Sequence, residues 1–448
     1  GQLLATSFLQ TGRAVVIVER DPLHPQIPAL RRAGAQVLIG DATDAALLRS
    51  AGLVRAEALF CVCNQDGSNA EIAITARRLC AAERKAHLVC LAHITDPQLC
   101  NLLEVSPQVQ SSGFELHLFN VFEQAARQLW QEHPAWPETQ TLQRAPYLVL
   151  IGLGRLGQSF VRVAAQAWSL RPESADHPLR VCVIARAARQ QAALLLAHTP
   201  ALRPLVEFEL LEQTIPSPDF EQLAASQPCA DAFYVLLDDD ETGLAAGLTL
   251  ARHLSGRALP IIVRRSAPGG LDTLLKEYKI GQPALHLFPY LQRACTANVL
   301  ENTPRSLLAR FAYQEYQRQD AAARQIAWEA LSPTEQRRNF QWVDHIETLL
   351  NGQGYRLQRL QDWSAARRSF SAVEVEAMAQ QEHALWQQDR LAEGWRYAPG
   401  PKDARARTHP DLLDWAQLPP AEQDKTRALI LGLPEFLARA GFEARKET

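Results

Sequence analysis

The chain has 448 residues, enough for about two to four domains that each bury a core. It is 47% hydrophobic, 21% charged and 7% aromatic, an ordinary globular composition that excludes wholesale disorder, collagen and mini-protein scaffolds. A formal net charge of -3 argues against a dedicated nucleic-acid binder. No stretch approaches roughly 18 uninterrupted apolar residues, so no bilayer-spanning segment is expected. The eight cysteines form no C-x-x-C and no ligand spacing with histidine. They read as reduced thiols of a cytoplasmic chain without a signal peptide. The only methionine is Met378 and the chain begins at Gly1, so the natural start is expected upstream.

Gln2–Gln10 is an amphipathic helical stretch stopped by Thr11-Gly12. Ala14–Val18 is a continuous apolar run ending in Glu19, as a buried parallel strand would be. A helix with Ile27 and Leu30 leads to a second strand, Gln36–Ile39, which ends in Gly40-Asp41. The helix Ala45–Ser50, a strand Ala58–Cys63, a helix over about 69–82 and a strand His87–Ala92 follow. Strands alternating with helices predict a doubly wound α/β sheet, with Glu19, Asp41 and Asn64-Gln65-Asp66 at the strand ends where ligands bind. An acid closing the second strand of such a fold is the usual partner of an adenosine ribose hydroxyl, the role expected of Glu19. Gly1 then reads as the last glycine of a G-x-G-x-x-G, its first strand lying before residue 1.

Gly40-Asp41-Ala42-Thr43-Asp44, Leu47–Leu53, Ala56-Glu57-Ala58 and Asn69 stand in an order and spacing that resembles the RCK/KTN nucleotide-binding domain. That family regulates potassium channels and Trk-type potassium transporters. The resemblance covers about residues 1–105. It implies a Rossmann-type domain that binds NAD(H) or another adenine nucleotide as a regulator, with Glu19 at the ribose and Asp41 near the adenosine. It also implies a membrane pore upstream or on a partner, a place at the inner face of the membrane, and at least a dimer.

Residues 121–145 read as a linker helix. Tyr147–Ile151 is an apolar strand running into Gly152-Leu153-Gly154-Arg155-Leu156-Gly157 and a helix Gln158–Trp168. This is the dinucleotide fingerprint in its required context: a tight turn, a close approach for a pyrophosphate, and helix–strand packing. The next strand, Arg180–Ala185, ends in Arg186 rather than an acid, so a phosphate contact is open there. Ala232–Leu237 followed by Asp238-Asp239-Asp240-Glu241 parallels Phe60–Asp66. Leu116-His117-Leu118-Phe119 parallels Leu285-His286-Leu287-Phe288. The two blocks, 1–120 and 146–290, read as a tandem duplication. The acid run is expected to be a solvated loop rather than a metal site.

The last third repeats W-x-x-L-x-P-x-E-Q at Trp328 and Trp415, closing at Gly354-Tyr355 and Gly441-Phe442. Met378–Trp386, Gly394-Trp395-Arg396-Tyr397-Ala398, Lys402-Asp403 and Thr408-His409-Pro410 resemble the ryanodine-receptor (RyR) repeat domain over 375–445. Ala398 stands where that family has glycine. Residues 371–448 are expected to be an RyR domain and 291–360 a degenerate copy. Trp395, Tyr397, Lys402, Arg405 and His409 are its candidate ligand contacts, since rings beside bases suit a flat anion such as a nucleotide. Trp386 and Trp415 are expected in the core.

The expected architecture is therefore α/β: two tandem Rossmann-like doubly wound parallel sheets, then small all-α RyR-type modules. The cofactor expected is NAD or another adenine nucleotide, at Gly1, Glu19, Asp41, Asn64, Gly152, Gly154, Gly157 and Arg186. G-x-S-x-G, P-loop and H-E-x-x-H motifs are absent and the twelve histidines are dispersed, which favours a sensor that is not an enzyme. An NAD(P)-dependent oxidoreductase is the alternative.

Overall fold

The computed structural model describes residues 1–83, 88–105, 113–137, 142–175, 177–217, 220, 230–254, 259–267, 269–270, 285–295, 304–319, 326, 328–360, 368–403 and 405–446. The chain divides into two compact units, Gly1–Glu301 and Asn302–Thr448.

The first unit opens with α1 (Gln2–Gln10), β1 (Val16–Glu19), α2 (Ile27–Arg32), β2 (Gln36–Ile39) and α3 (Ala45–Ser50). It continues through β3 (Ala58–Cys61), α4 (Asp66–Glu83), β4 (Leu88–His93), α5 (Pro97–Val105), β5 (Phe114–Phe119) and α6 (Val121–Glu132). The helix expected from about 69 starts three residues earlier, at Asp66, and the expected linker helix ends at Glu132. His87, expected in the fourth strand, lies outside the described residues. Asn120 caps α6, its side chain accepting from the Phe122 and Glu123 N–H groups.

Next come β6 (Tyr147–Ile151), α7 (Arg155–Ser169), β7 (Leu179–Ala185), α8 (Ala188–His198), β8 (Val206–Glu212) and β9 (Ala232–Val235). The unit's last described elements are α9 (Asp240–His253), β10 (Ile261–Arg265), β11 (Leu285–Pro289) and α10 (Tyr290–Ala294). The second sheet is wholly parallel, in the order β11-β10-β9-β6-β7-β8. Its central strand β6 is buried on both faces, which is why Tyr147–Ile151 is apolar without alternation. Earlier in the unit the ladders are β1-β2 and β3-β4-β5, both parallel. No described strand stands between β1 and β3 as β6 stands between β7 and β9.

The two halves repeat at the level of single hydrogen bonds. At the start of α4, Asp66 accepts from the N–H and hydroxyl of Thr95, at 2.7 and 2.8 Å, just past β4. At the start of α9, Asp240 accepts from the N–H and hydroxyl of Ser266, at 2.8 and 3.0 Å, just past β10. The halves meet through aromatic packing: Trp130 on α6 lies 6.0 Å from Phe160 on α7, and Phe122 stacks on Tyr290 at 6.0 Å. The Tyr234 hydroxyl donates to the His133 carbonyl at 2.7 Å.

The second unit holds α11 (Pro304–Gln319), α12 (Pro333–Gly352), β12 (Tyr355–Arg359) and α13 (Ala372–Ala392). Then come β13 (Arg396–Tyr397), β14 (Thr408–His409), α14 (Pro420–Leu431), α15 (Leu433–Ala440) and β15 (Phe442–Lys446). Ser332 and Ser371 each open a helix with a reciprocal capping box to a glutamate three residues on. One core joins the unit, with Leu308, Val343, Ile346, Met378, Ala379, Ile430 and Leu437 fully buried. The unit is mainly helical, but it also carries a parallel pair, β13 with β14, and an antiparallel pair, β12 with β15. Gln336 Nε2 donates to the Trp328 carbonyl at 3.0 Å, and Gln423 Nε2 donates to that of Trp415 at 2.8 Å. Tyr313 and His383 take the same place against those two tryptophans, each at a centroid distance of 5.8 Å.

His345 on α12 is clamped by two carboxylates of α13. Its Nδ1 lies 3.1 Å from Glu382 and its Nε2 3.1 Å from Asp389. Only a protonated imidazole can donate to both. Burial opposes that charge, but the hydrogen bonds and charges of Glu382 and Asp389 outweigh it and raise the imidazole pKa. Burial also raises the Glu382 carboxyl. Both groups therefore hold protons more tightly when folded. For the imidazole that stabilisation is complete below its ordinary range and is lost as pH rises through the raised value, while the carboxyl's is lost from the ordinary carboxylate range upward. Thermal stability of the full chain should fall as pH climbs from about 6 to 8. His345→Gln should flatten that slope, and an unchanged slope would exclude the clamp as its cause.

Candidate functional site

The C-terminal ends of β1, β2 and β3 build a polar edge in the first half. Register pairs Glu19 with Ile39, and the Gly40 N–H donates to the Glu19 carbonyl at 2.9 Å, so Glu19 and Asp41 end adjacent strands. A Glu19 carboxylate oxygen accepts from the Asp21 N–H at 3.0 Å. Asp41 accepts from the N–H and hydroxyl of Thr43 at 2.9 and 2.8 Å, which holds its carboxyl below the usual range. Gly1 precedes α1, and Asn64 is exposed beyond β3. Burial raises the Cys63 thiol, and the charges of Glu19 and Asp41 raise it further, so Cys63 faces the same edge.

Three further residues belong to this edge: Asn69, Asp66, already expected at a strand end, and His93, to which the sequence gave no role. Asn69 is fully buried on α4. Its Nδ2 donates to the carbonyls of Cys63 and His93, at 3.0 and 2.8 Å, while its Oδ1 accepts from the Cys63 N–H at 2.7 Å. One amide thus ties the ends of β3 and β4, and Asp66 pins the residues after β4. The third is His93, whose Nε2 is buried without a hydrogen-bond partner. Burial lowers its pKa first, with Arg155 adding to that and Asp66 opposing it, so the ring is neutral near pH 7.

In the second half the glycine turn has its expected geometry. Gly152 has φ +96°, a conformation open to glycine, and its N–H donates to the Ile184 carbonyl at 2.9 Å. Gly154 caps α7, which begins at Arg155 rather than at the expected Gln158. A Cβ at Gly157 would meet the Gly152 carbonyl oxygen at 2.5 Å. Arg186 is exposed just past β7. The acid run has three separate tasks. Asp239 caps α9 by accepting from the Thr242 N–H, Asp240 latches Ser266, and Asp238 lies 3.6 Å from Arg264 Nη1. Arg264 is 5% exposed, donates to the Leu237 carbonyl and packs 4.5 Å from the centroid of the Tyr290 ring. Among the described residues no group of histidines, cysteines and acids could hold a metal ion.

In the second unit the loop after α13 gathers the expected ring-and-base cluster, with its rings partly committed. Trp395 is 7% exposed, with Lys402 Nζ and the Arg390 guanidinium each 5.6 Å from its ring centroid. His409 meets Trp386 edge-on at 5.1 Å and Trp395 at 6.3 Å. Trp386 and Trp415 are partly buried. Tyr397 is 51% exposed and pairs with His409 in the β13–β14 register. Asp403 accepts from the Arg405 and Ala406 N–H groups, at 2.8 and 2.9 Å, so the loop's one acid is engaged by backbone while Arg405 is exposed.

The TrkA-N domain model matches residues 1–106, and the RyR domain model matches residues 370–446. No curated protein matches the chain. Among solved structures, a GsuK mutant is 18% identical, with a TM-score of 0.45 over 67% of this chain and 66% of that one. The GsuK channel is 15% identical, with a TM-score of 0.45 over 69% and 63%. The GsuK RCK domain is 14% identical, with a TM-score of 0.43 over 69% and 76%. The chain thus spans slightly under two thirds of the first two of these proteins. No described helix is long and apolar enough to cross a membrane.

Proposed function

We propose that this chain is a ligand-sensing regulatory protein whose first half binds NAD or another adenine nucleotide. The observation that carries the reading is the pair Glu19 and Asp41, two carboxylates on adjacent strand ends inside the region matched by the TrkA-N model. Glu19 would take the ribose hydroxyls, Asp41 would lie near the adenosine, and Gly1 and Asn64 would flank the ligand. Nucleotide binding would change the relative stability of two domain arrangements. The signal passed on would be control of cation flux, potassium above all, through a pore encoded upstream or carried by a partner. The chain would work as a homo-oligomer at the inner face of the membrane. The loop of Trp395, Tyr397, Lys402, Arg405 and His409 would read a second, nucleotide-like anion, as it would in bacterial defence signalling. Residues 305–357 would be a duplicated copy without that loop.

One observation favours a second reading, an NAD(P)-dependent oxidoreductase. His93 presents an unpartnered neutral nitrogen at the end of β4, where an acid–base group would serve a hydride transfer.

Thermal stability against NAD, NADH, NADP, ATP, ADP-ribose and cyclic nucleotides tests both. A ligand at about 100 times its dissociation constant should add about 2.7 kcal/mol. The gain should vanish on Glu19→Ala if the first half binds it, and on Lys402→Ala if the loop does. Stabilisation without turnover supports the sensor, cofactor turnover supports the oxidoreductase, and no stabilisation by any nucleotide sinks both.

A further inference from the structure

The two halves of the first unit tie their strand ends in different ways, and the difference bears on which half can hold a dinucleotide. The repeated latches align Asp66 with Asp240 and Thr95 with Ser266. By that alignment Cys63-Asn64 corresponds to Leu237-Asp238, Asn69 to Gly243 and His93 to Arg264. In the first half the tie is neutral and comes from behind the edge, through the Asn69 amide. In the second half glycine replaces that amide. Arg264, at the strand end itself, reaches across to the Leu237 carbonyl. A buried guanidinium now sits at the edge with Asp238 beside it.

Asp238 lies over the glycine turn. A Cβ added at Gly154 would lie 2.9 Å from Asp238 Oδ2, and one added at Gly152 would lie 3.1 Å from the Leu237 backbone nitrogen. The second glycine of such a turn exists so that a ligand's diphosphate can approach the backbone. Here a carboxylate of the chain takes that approach. It carries the same sign of charge as a diphosphate and lies 3.6 Å from the buried Arg264 guanidinium, its own side chain being 72% exposed. The end of β7 adds no ribose acid, since Arg186 stands there.

We infer that the second crevice is occupied by its own Asp238, 3.6 Å from Arg264, and that the chain takes one dinucleotide, in the first half only. Asp238 is a specificity-determining residue that turns a complete glycine fingerprint into a closed site. The inference rests on the nucleotide reading of the first half for its stoichiometry, but not for the closure itself.

Calorimetric titration of the full chain with NAD and NADP, with stoichiometry as the readout, decides it. The wild type should bind one dinucleotide per chain, and Glu19→Arg should abolish that site. Gly154→Leu, which blocks the second turn, should leave it unchanged. Asp238→Gly should open a second site, with a gain of about 10-fold or more in affinity there once the carboxylate is gone, its unfolding midpoint being measured alongside because the buried Arg264 loses its acid partner. Two sites in the wild type would overturn the inference, as would a single site lost on Gly154→Leu, or a stoichiometry that Asp238→Gly leaves unchanged. Binding seen only in Asp238→Gly would uphold the closure and remove the nucleotide reading of the first half. Binding by neither protein would overturn both.

Discussion

Replacing Asn69 with alanine is expected to cost about 2–4 kcal/mol and to loosen the polar edge of the first half. The side chain is fully buried and makes three hydrogen bonds, to both backbone groups of Cys63 and to the His93 carbonyl. Alanine removes all three and leaves buried backbone partners unsatisfied, each at about 1–3 kcal/mol. Solvent reaching the exposed Cys63 recovers part of the loss, which sets the lower bound. Hydrogen exchange of the β3 and β4 amides in increasing urea would report it. A loss below about 0.5 kcal/mol, the range of an ordinary surface change, would show that the tie is not structural. Asn69→Asp should behave almost as badly, because the carboxylate keeps the acceptor and loses both donors.

The second large effect belongs to Gly157→Ala. The new methyl group would lie 2.5 Å from the Gly152 carbonyl oxygen, and neither partner can turn aside because both are backbone. The start of α7 must therefore move off β6. That helix buries Phe160, Val161, Ala164, Ala165 and Trp168 at 1% exposure or less. Displacing so tight a face costs about 3 kcal/mol, the upper end for overpacked interiors. Gly67→Ala is the control, with nothing within 4 Å of the added atom, and should be neutral or slightly stabilising. Equal unfolding midpoints for the two variants would refute the steric argument.

The element most plainly readable from the sequence was the one buried on both faces. Tyr147–Ile151 is apolar at every position because every position is inside, and Gly152-Leu153-Gly154 marks its end without ambiguity. The acids Glu19 and Asp41 were legible because each closes an apolar run, although β1 and β2 are only partly buried. Element ends were less so. Asp66 looked like loop because an acid after a strand usually is, yet it starts α4 by latching Thr95, 29 residues away. The His345 clamp joins residues 37 and 44 positions apart, and no local pattern announces it. Asp238 was hidden by its neighbours: three consecutive aspartates read as one solvated run, while each has a different partner. Trp395 was read as a stacking surface from its composition. The side chains that cover it, Arg390 and Lys402, come from either side of it in sequence, and only folding brings them onto the ring.

The antiparallel pairing of Tyr355–Arg359 with Phe442–Lys446 has a consequence for how the protein is made. The second unit closes on a strand that leaves the ribosome more than eighty residues after its partner. The first unit has all its pairings in hand by then and is free to fold during synthesis. The second must wait with one strand edge uncovered, a template for any passing extended segment. The order of synthesis therefore leaves the β12 edge open to strand exchange between nascent chains until β15 emerges.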